Sequence, residues 1–589
     1  MIKKTALILG VVLILFFWKN TILHIGTQSH DWYDGSFMVW SIQTNINHFK
    51  NFRFDKIFET NAMYPFPQSL SFTDHLFVPS FIALLISFFS SNPILQFNLL
   101  WILNHIAVFL TFYLFAGRFT KNFWSRIIPA FYMSFGPYFF LQFGHLQMVF
   151  LWPLFLSLYY LLDPKKSVKS IIVSGIFLGV QFLTGTYLGL LGLTIIFLYF
   201  IVEIIKTIFI KSTFIKKQVF ISQLKSFGLF FISFVIVAGV SIYGYLLLNQ
   251  TYHPKRDQGE YVTFSAHASD YLFPLPLRSS YIYKHLSHWT DLNKHNYGEQ
   301  ASFVGFVPLL VIGGYIFMSL RGVKRRSNLK GIAPLSRERG IARNDKLYLW
   351  LGLLIITGFV FSLGPRMNWN GKYLVTPLPY WLVMKVFPPI AIMRAVARWY
   401  FLVIFAVSIF MIFGIDLLLH RFKKFTPIII GGLLVLIFFE FYPSPIQTIS
   451  RSWKTNSYIF LQKQCQIKSG PILEYPIEYR ADDFTYVNNL QYKTNILMSS
   501  TLHTCPFLSG FSSYEPRLFL KWKDQFDMNG FDQKTMDILQ EQKFMYIKIN
   551  LKALSAKEQQ NTTLFIHTKK LELIYKDLEI LIYKIIYLN

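Results

Sequence analysis

Two carboxylates stand out in an N-terminal segment whose other side chains are mostly aromatic or amide. Asp34 begins the stretch 34–40 (DGSFMVW), and Asp74 directly precedes His75. A carboxylate can take a proton from a reacting hydroxyl group, and two carboxylates can bind a divalent cation jointly. We therefore predict Asp34 and Asp74 as catalytic residues, or as metal ligands if a metal is used. The alternative for Asp74, and for the nearby Asp31, is a helix cap.

Two histidines have the chemistry to contact a substrate. His75 follows Asp74, and His145 lies in the sequence FGHLQ, in a predicted turn between two short apolar segments. From that turn His145 can meet the first loop. Each histidine can equally be a structural hydrogen-bond donor, because a lone histidine more often has that role. We predict both as substrate-binding residues.

Three arginines are predicted to bind a phosphate. Arg394 and Arg398 are four residues apart, so on a helix they share one face. Guanidinium groups can fork onto a phosphate, and this geometry favours a binding role. The alternative is that both arginines anchor the helix to lipid head groups. Arg256 is a weaker candidate for the same role, and Glu260 could equally be its ion-pair partner.

These candidates lie among long apolar segments. Of the 589 residues, 53% are hydrophobic and 15% are charged, which excludes a disordered chain and an ordinary soluble enzyme. Apolar runs recur up to residue 442, and a run of ~20 residues crosses ~30 Å of hydrocarbon as a helix. We predict an all-α polytopic membrane domain over residues 1–442. Its eleven spans are 5–18, 94–116, 127–141, 148–162, 170–187, 188–205, 226–248, 302–320, 347–363, 399–419 and 425–442.

The distribution of charge predicts the orientation of the chain. The formal net charge of +27 would suggest a nucleic-acid partner in a soluble protein. Here the lysines and arginines concentrate between the apolar runs, which indicates cytoplasmic loops and no nucleic acid. We predict a multi-pass protein of the plasma membrane, with a cytoplasmic N-terminus and an extracytoplasmic C-terminus. The basic segments are 3–4, 118–126, 163–169, 206–225, 321–346 and 421–424.

One apolar run, residues 76–89, is predicted not to cross the membrane. Counting it as a span would place the basic segment 118–126 outside and invert every later loop. The run has only about 14 residues, and Pro79 lies near its start. We predict a helix at the outer membrane surface that closes a long first outer loop, 19–92. The first run, 5–18, lacks a cleavage site of the signal-peptide type and is expected to remain as a helix.

Residues 443–589 are predicted to form an extracytoplasmic α/β domain. Cys465 and Cys505 lie in it, and they can form a disulfide in an oxidising compartment or stay as two buried thiols. The predicted elements are strands at 471–475, 544–550 and 571–587 and a helix at 533–542.

Polar residues inside the spans leave a second class of function open. Asn104 and His105 lie in the middle of a predicted span, and an ionisable group within a membrane is a functional hypothesis by default. A transporter or flippase is therefore the alternative. Against it, the sequence shows no internal repeat and no matching pair of broken helices. Walker-type, Cys/His metal and Gly-x-Ser-x-Gly motifs are also absent from the sequence.

The order of these elements resembles the type-C (GT-C) membrane glycosyltransferases. A short N-terminal span, an aspartate in a long first outer loop and a surface helix before the second span follow one another. The chain is especially similar to the bacterial RgtA/B/C/D-like and YfhO-like membrane proteins, most closely over residues 1–165. The matching stretches are 34–40, 61–67 (NAMYPFP), 73–76 (TDHL), 92–93, 134–138 (SFGPY), 144–147 (GHLQ), 261–274, 394–398 (RAVAR) and 513–514.

The resemblance implies transfer of a hexosyl or pentosyl group from a polyprenyl-phosphate-linked donor. The acceptor would be a glycan or lipid of the cell envelope, at the outer face of the membrane. Asp34 matches the position of the catalytic base or metal ligand. Gly35 follows it, so the second acid that the family often has is absent, and a divalent cation as cofactor is left open. The C-terminal domain would bind the acceptor or cover the active site.

Overall fold

The computed structural model of the chain is mainly α-helical, as predicted for a polytopic membrane protein. It describes residues 2–30, 34–142, 144–208, 213–256, 258–272, 299, 302–327, 341–369, 372–375, 377–387, 390, 393–441, 445–451, 453–503, 505–560 and 571–586. Asp31 lies outside the described residues.

The elements alternate along the chain as follows. The α-helices are α1 (Ile2–Phe17), α2 (Lys19–Leu23), α3 (Asp34–Lys50), α4 (Phe77–Ser87), α5 (Pro93–Ala116), α6 (Phe123–Phe135), α7 (Pro137–Leu141), α8 (Leu146–Val149), α9 (Trp152–Leu161), α10 (Val168–Thr184), α11 (Thr186–Ile208), α12 (Thr213–Tyr252), α13 (Gln258–Thr263), α14 (Phe306–Ser327), α15 (Ile341–Ser362), α16 (Pro379–Val386), α17 (Phe401–Arg421), α18 (Thr426–Glu440), α19 (Asn456–Ile467), α20 (Tyr486–Ser499), α21 (Arg517–Asn529) and α22 (Gln533–Glu541). The strands are β1 (Gln28–Ser29), β2 (Met367–Trp369), β3 (Lys372–Val375), β4 (Ile449–Ser450), β5 (Ile472–Tyr475), β6 (Tyr546–Asn550), β7 (Leu571–Lys576) and β8 (Ile580–Ile585).

Long apolar helices make this a multi-pass membrane protein. Five described helices are long and apolar enough to cross a membrane, and each coincides with a predicted span. They are Pro93–Ala116, Thr186–Ile208, Lys217–Tyr252, Asp345–Ser362 and Val396–Arg421. Shorter apolar helices coincide with four further predicted spans and are Leu7–Phe17, Leu146–Leu161, Val168–Thr184 and Phe306–Ser319. The count of eleven stays a prediction.

Two of the predicted spans contain a break between two helices. The run 127–141 contains α6 and α7 on either side of Gly136, and the run 148–162 contains α8 and α9. Gly136 is extended, with φ −79° and ψ 179°. Pro137 follows it, and a residue before proline is disfavoured in the α conformation. The helix therefore ends at this point even though the apolar pattern continues.

Two predicted cytoplasmic loops are partly helical. Helix α12 runs through most of 206–225, and α14 and α15 both extend into 321–346. Hydropathy marks where a helix leaves the hydrocarbon, whereas lysine and arginine are good helix formers. The helical hydrogen bonds therefore continue into water beyond the predicted span ends.

Packing divides the chain into two units. Unit 1 comprises Met1–Lys19, Trp101–Gly239 and Lys255–Pro445, and unit 2 comprises Asn20–Leu100, Val240–Pro254 and Ile446–Asn589. Helices α5 and α12 contribute residues to both. The predicted division into 1–442 and 443–589 separates a membrane domain from an extracytoplasmic domain, and it stays a prediction. By its packing, most of the first loop belongs to the same unit as the tail.

A four-stranded sheet forms part of the core of unit 2. Its strand order is β5-β6-β8-β7, with β5 and β6 parallel and the other neighbours antiparallel. The side chains of β5 are all buried, as are the first four of β6. The predicted strands 471–475 and 544–550 and the predicted helix 533–542 are confirmed within one or two residues at their ends.

The predicted strand 571–587 is instead a hairpin of β7 and β8. Asp577 forms the turn, because its Oδ1 accepts hydrogen bonds from the backbone N–H groups of Glu579 at 2.9 Å and Ile580 at 2.7 Å. Aspartate side chains favour such turns. The sequence periodicity did not show the turn, because apolar residues flank it closely.

Cys465 and Cys505 form a disulfide within unit 2, with their Cα atoms 5.7 Å apart. Of the two alternatives that the sequence left open, the structure therefore has the bonded form. The disulfide joins α19 to the segment that follows α20.

Candidate functional site

Asp34 is the first residue of α3 in unit 2. Its side chain is half-buried, whereas Ser36 and Phe37 behind it are buried. The N-terminus of a helix carries a partial positive charge that stabilises a nearby anion. The position therefore suits an ionised carboxylate that still reaches solvent.

A buried arginine from the tail lies beside this first turn. Strands β1 and β4 pair antiparallel, which brings Arg451 close to α3 within unit 2. Arg451 is only 8% exposed. Its Nε donates to Ser29 Oγ at 2.8 Å, and its Nη1 donates to Ser36 Oγ at 2.7 Å. A positive charge thus lies at the turn that begins with Asp34.

Asp74 and His75 lie in unit 2, just before α4. Asp74 is half-buried, whereas His75 is 2% exposed. The His75 Nδ1 is 2.9 Å from Ser241 Oγ, and its ring stacks on Tyr245 with centroids 4.5 Å apart. Burial lowers the pKa of His75 to about 3, so the imidazole is neutral at pH 7. These contacts favour a structural role for His75 over the predicted substrate contact.

Asp34 and Asp74, the predicted metal ligands, are not part of a larger cluster of metal-binding side chains in the described ranges. Among the residues that the structure describes, no three side chains of His, Cys, Asp or Glu come together as a metal site. The roles of Asp34 and Asp74, as bases or as metal ligands, stay predictions.

Arg398 lies in unit 1, in the 3₁₀ turn Val396–Tyr400 before α17, and forms an ion pair with Glu299. Its Nε is 3.0 and 3.2 Å from the two carboxylate oxygens, and its Nη2 contacts one of them. The side chains are 6% and 9% exposed. Burial alone would raise the pKa of Glu299, but the charge and hydrogen bonds of Arg398 outweigh it and lower the pKa to about 2.

The predicted common helix face of Arg394 and Arg398 is wrong. Ala395 has φ −83° and ψ 84°, which is not helical, and α17 begins only at Phe401. The apolar residues continue from the turn into the helix, so the pattern does not show where the helix begins. The two guanidinium groups accordingly have different surroundings.

Arg394 is half-buried in unit 1 and has no ion pair within the described part of the chain. Its backbone N–H donates to the Tyr187 hydroxyl at 2.8 Å. Its guanidinium lies over the Phe264 ring, 4.7 Å from the centroid. The backbone bond and the ring hold Arg394 in place without neutralising its charge.

His145 and Gln142 belong to the same cluster in unit 1. Gln142 Nε2 donates to Glu299 at 3.4 Å. Desolvation, together with the positive charges of Arg398 and Arg394, lowers the pKa of His145 to about 4. The imidazole is therefore neutral at pH 7. We call His145, Glu299, Arg394 and Arg398 the arginine cluster.

Arg256, the third predicted phosphate ligand, lies elsewhere in unit 1. It pairs with Glu260, four residues along the chain, at 3.3 Å. The sequence had left this pairing open, and the structure shows it.

The polar residues inside the span α5 have structural partners in unit 1. Trp18 Nε1 donates to His105 Nδ1 at 3.1 Å, so His105 Nε2 carries the proton and donates to the Ser134 carbonyl at 3.0 Å. Asn104 Nδ2 donates to the Val149 carbonyl at 3.2 Å. His105 thus holds three helices together, and the residue that favoured a transporter has a structural role.

Two residues of these clusters, Arg451 and Glu299, were not identified from the sequence. Glu299 and Arg398 are 99 positions apart, and Arg451 and Ser36 are 415 apart. No local spacing marks such pairs. The one available signal is the scarcity of acids, 30 in 589 residues, which makes each acid in a predicted outer loop a candidate partner for an arginine.

The fold is similar to those of solved glycosyltransferases. Arabinofuranosyltransferase AftD from Mycobacteria superposes with a TM-score of 0.58 at 12% identity, over 99% of this chain and 41% of AftD. The oligosaccharyltransferase of Archaeoglobus fulgidus superposes with a TM-score of 0.50 at 10% identity, over 92% of this chain and 68% of that protein. This chain therefore spans less than half the length of AftD. ArnT from Cupriavidus metallidurans, solved with undecaprenyl phosphate, gives only 0.38 at 12% identity, over 98% and 97% of the two chains.

The helices and their similarity to AftD define a multi-pass membrane protein with the GT-C fold, so the resemblance seen in the sequence is confirmed at the level of the fold. Residues 7–441 match the family described as a domain of unknown function, DUF6311, and the chain belongs to that family. A search of curated proteins found no match.

Proposed function

We propose that this protein is a glycosyltransferase that uses a polyprenyl-phosphate-linked sugar and a glycan or lipid acceptor at the outer face of the membrane. The observation that carries the proposal is the GT-C fold, similar to that of AftD over 99% of this chain. A fold can host several functions, so the roles of individual residues rest on their local geometry.

The reaction needs a base for the acceptor. The acceptor oxygen forms a bond to the anomeric carbon of the sugar, the bond from that carbon to the phosphate oxygen breaks, and the hydroxyl proton passes to the base. Asp34 is our proposed base, because it is half-buried, begins a helix and lies near Arg451. Asp74 is the second candidate, since it is also half-buried and in the same unit.

The reaction also needs a cation for the phosphate that leaves with the electron pair. Arg394 is our proposed ligand, because its charge is not neutralised within the described residues and its guanidinium is held by Phe264. Arg398 is neutralised by Glu299, so we assign Arg398 and His145 a positioning role within the arginine cluster. Arg256 is likewise paired, with Glu260.

Contacts within unit 1 support the proposed orientation, with a cytoplasmic N-terminus and an outer tail. Lys166 and Lys346, from two basic segments, lie 3.3 and 3.0 Å from Glu203. The arginine cluster brings predicted outer segments together.

Helix α4 has 11 residues, and at ~1.5 Å per residue it is too short for ~30 Å of hydrocarbon, which agrees with a surface position.

We expect cysteine labelling to report this orientation. Lys121→Cys lies in a predicted cytoplasmic loop and Lys534→Cys in the tail, and both lysines are exposed. A membrane-impermeant maleimide added to intact cells should label position 534 and miss position 121, because the reagent does not reach the cytoplasm. The native cysteines are joined in a disulfide and therefore give no background labelling. Permeabilised cells should show both labelled. Labelling of position 121 in intact cells would overturn the orientation.

A direct assay separates an enzyme from a carrier. Purified protein in lipid, given a panel of polyprenyl-phosphate sugars and a cell-envelope acceptor extract, should release polyprenyl phosphate only when both are present. Arg394→Gln should raise the KM for the donor by about tenfold or more, because a charge-assisted contact is lost. Arg366→Gln is the matched control, since Arg366 is exposed and, like Arg394, lies between the predicted spans 347–363 and 399–419. Movement of a solute by sealed vesicles that consume no donor would favour a carrier.

A further inference from the structure

Two adjoining cavities follow helix α20 in unit 2. The first, of 190 Å³, is lined by Arg451, Trp453, Gln491, Asn495 and Ser499 among others. The second, of 450 Å³, is lined by Tyr458, Asn495, Ser499, Lys548 and Asn550 among others. Asn495 and Ser499 line both cavities, and we call the two cavities together the α20 groove.

The lining chemistry suits a neutral, hydroxyl-rich chain. Asn495, Gln491 and Asn550 offer amide donors and acceptors at intervals along the α20 groove. Trp453 adds an aromatic ring, on which the C–H face of a sugar ring packs. A few polar groups placed around an elongated cavity fix the orientation of a ligand.

The α20 groove is lined by charges of both signs, Arg451, Lys548, Asp577 and Glu579, so neither sign dominates. Lys548 Nζ is 2.7 Å from Glu474, and both side chains are almost fully buried, at 4% and 2% exposed. The same ammonium lies 3.8 Å from the centroid of the Tyr458 ring. A phosphate or acidic peptide would therefore gain little from Lys548, and the groove favours an uncharged ligand.

Arg451 at one end of the α20 groove contacts the helix that begins with Asp34. Arg451 lines the first cavity and donates to Ser36, in the first turn of α3. Helix α20 itself packs against α3. A ligand that fills the groove thus has one end close to the helix that begins with the proposed base.

We propose that the α20 groove binds an oligosaccharide acceptor of several neutral sugar residues and directs its terminal hydroxyl towards Asp34. This inference rests on the proposed function, because it names the class of acceptor for that reaction. It also gives the tail a binding role, which the sequence left open beside a covering role.

Binding can be measured on the full chain without any transfer. The probe is a panel of fluorescently labelled oligosaccharides of two to six hexose or N-acetylhexosamine units, added to the protein in lipid nanodiscs. We expect saturable binding that tightens as the chain lengthens. Asn495→Ala and Trp453→Ala should each weaken it about tenfold, whereas Asn488→Ala should not. Asn488 lies on the same helix and lines neither cavity, and its side-chain amide donates to the Asp483 carbonyl.

The outcomes separate this inference from the proposed function. Asp34→Asn should still bind the oligosaccharides, and Asn495→Ala should raise the KM for the acceptor while the KM for the donor stays unchanged. If no panel member binds at millimolar concentration, or if Asn495→Ala and Asn488→Ala behave alike, the groove is not the acceptor site. Transfer that still depends on Asp34 would then leave the proposed function intact.

Discussion

Asp34→Asn is expected to lower sugar transfer by ~10² or more while the protein still inserts and folds, the loss typical of removing a positioned base. The substitution keeps the shape and the hydrogen bonds of the side chain but removes its charge. The carboxylate begins α3, beside the turn that Arg451 contacts, so its ionised form is supported by a helix dipole and a buried guanidinium. The measurement is initial-rate release of polyprenyl phosphate at saturating donor and acceptor.

A merely structural role for Asp34 predicts a much smaller effect. A carboxylate at a helix N-terminus contributes ~0.3–1 kcal/mol to stability, and a cap contributes about 1 kcal/mol. Asp31→Asn and Asp55→Asn are the matched controls in the same loop, and Asp55 is exposed. Both should leave the rate within about twofold of the original. Equal, small losses at all three positions would show that the first loop is structural and that another residue takes the proton.

The parts of the fold that depend on local pattern could be predicted. Apolar runs identified the five long apolar helices among the described residues, because hydrocarbon demands about 20 apolar residues for a span. Strands β5 and β6 were also expected, since their buried, β-branched residues have a strong strand pattern.

The parts that depend on contacts far apart in sequence could not be predicted. Arg394 and Arg398 seemed equivalent, yet only Arg398 meets Glu299, a residue that no local spacing connects to it. Arg451 reaches Ser36 only because β1 and β4 pair. The break after α6 at Gly136 and the extent of α12 were also missed. Hydropathy reports whether a segment is surrounded by hydrocarbon or by water, whereas the ends of a helix depend on which residues allow helical backbone hydrogen bonds.

The buried pair of Arg398 and Glu299 predicts the largest effect on stability. Glu299→Gln leaves the guanidinium of Arg398 buried without its counter-charge, and breaking such a pair costs about 3–5 kcal/mol of unfolding free energy. Arg398→Met in the Glu299→Gln background should recover most of that loss, because the uncompensated charge is then gone. Thermal unfolding of the detergent-solubilised protein measures both. Glu260→Gln, which breaks the more exposed pair with Arg256, should cost less than about 0.5 kcal/mol.

The pH dependence of this stability has a definite sign. The pKa of Glu299 is lowered to about 2 in the folded protein, so the pair stabilises fully above the ordinary carboxyl pKa of about 4.3. The contribution is lost as the pH falls towards 2, and between pH 5 and 8 it should be constant. If Glu299→Gln costs no more than Glu260→Gln at pH 7, the guanidinium of Arg398 is not held by Glu299 in the folded protein. Arg398 would then stand beside Arg394 as a ligand for the donor phosphate.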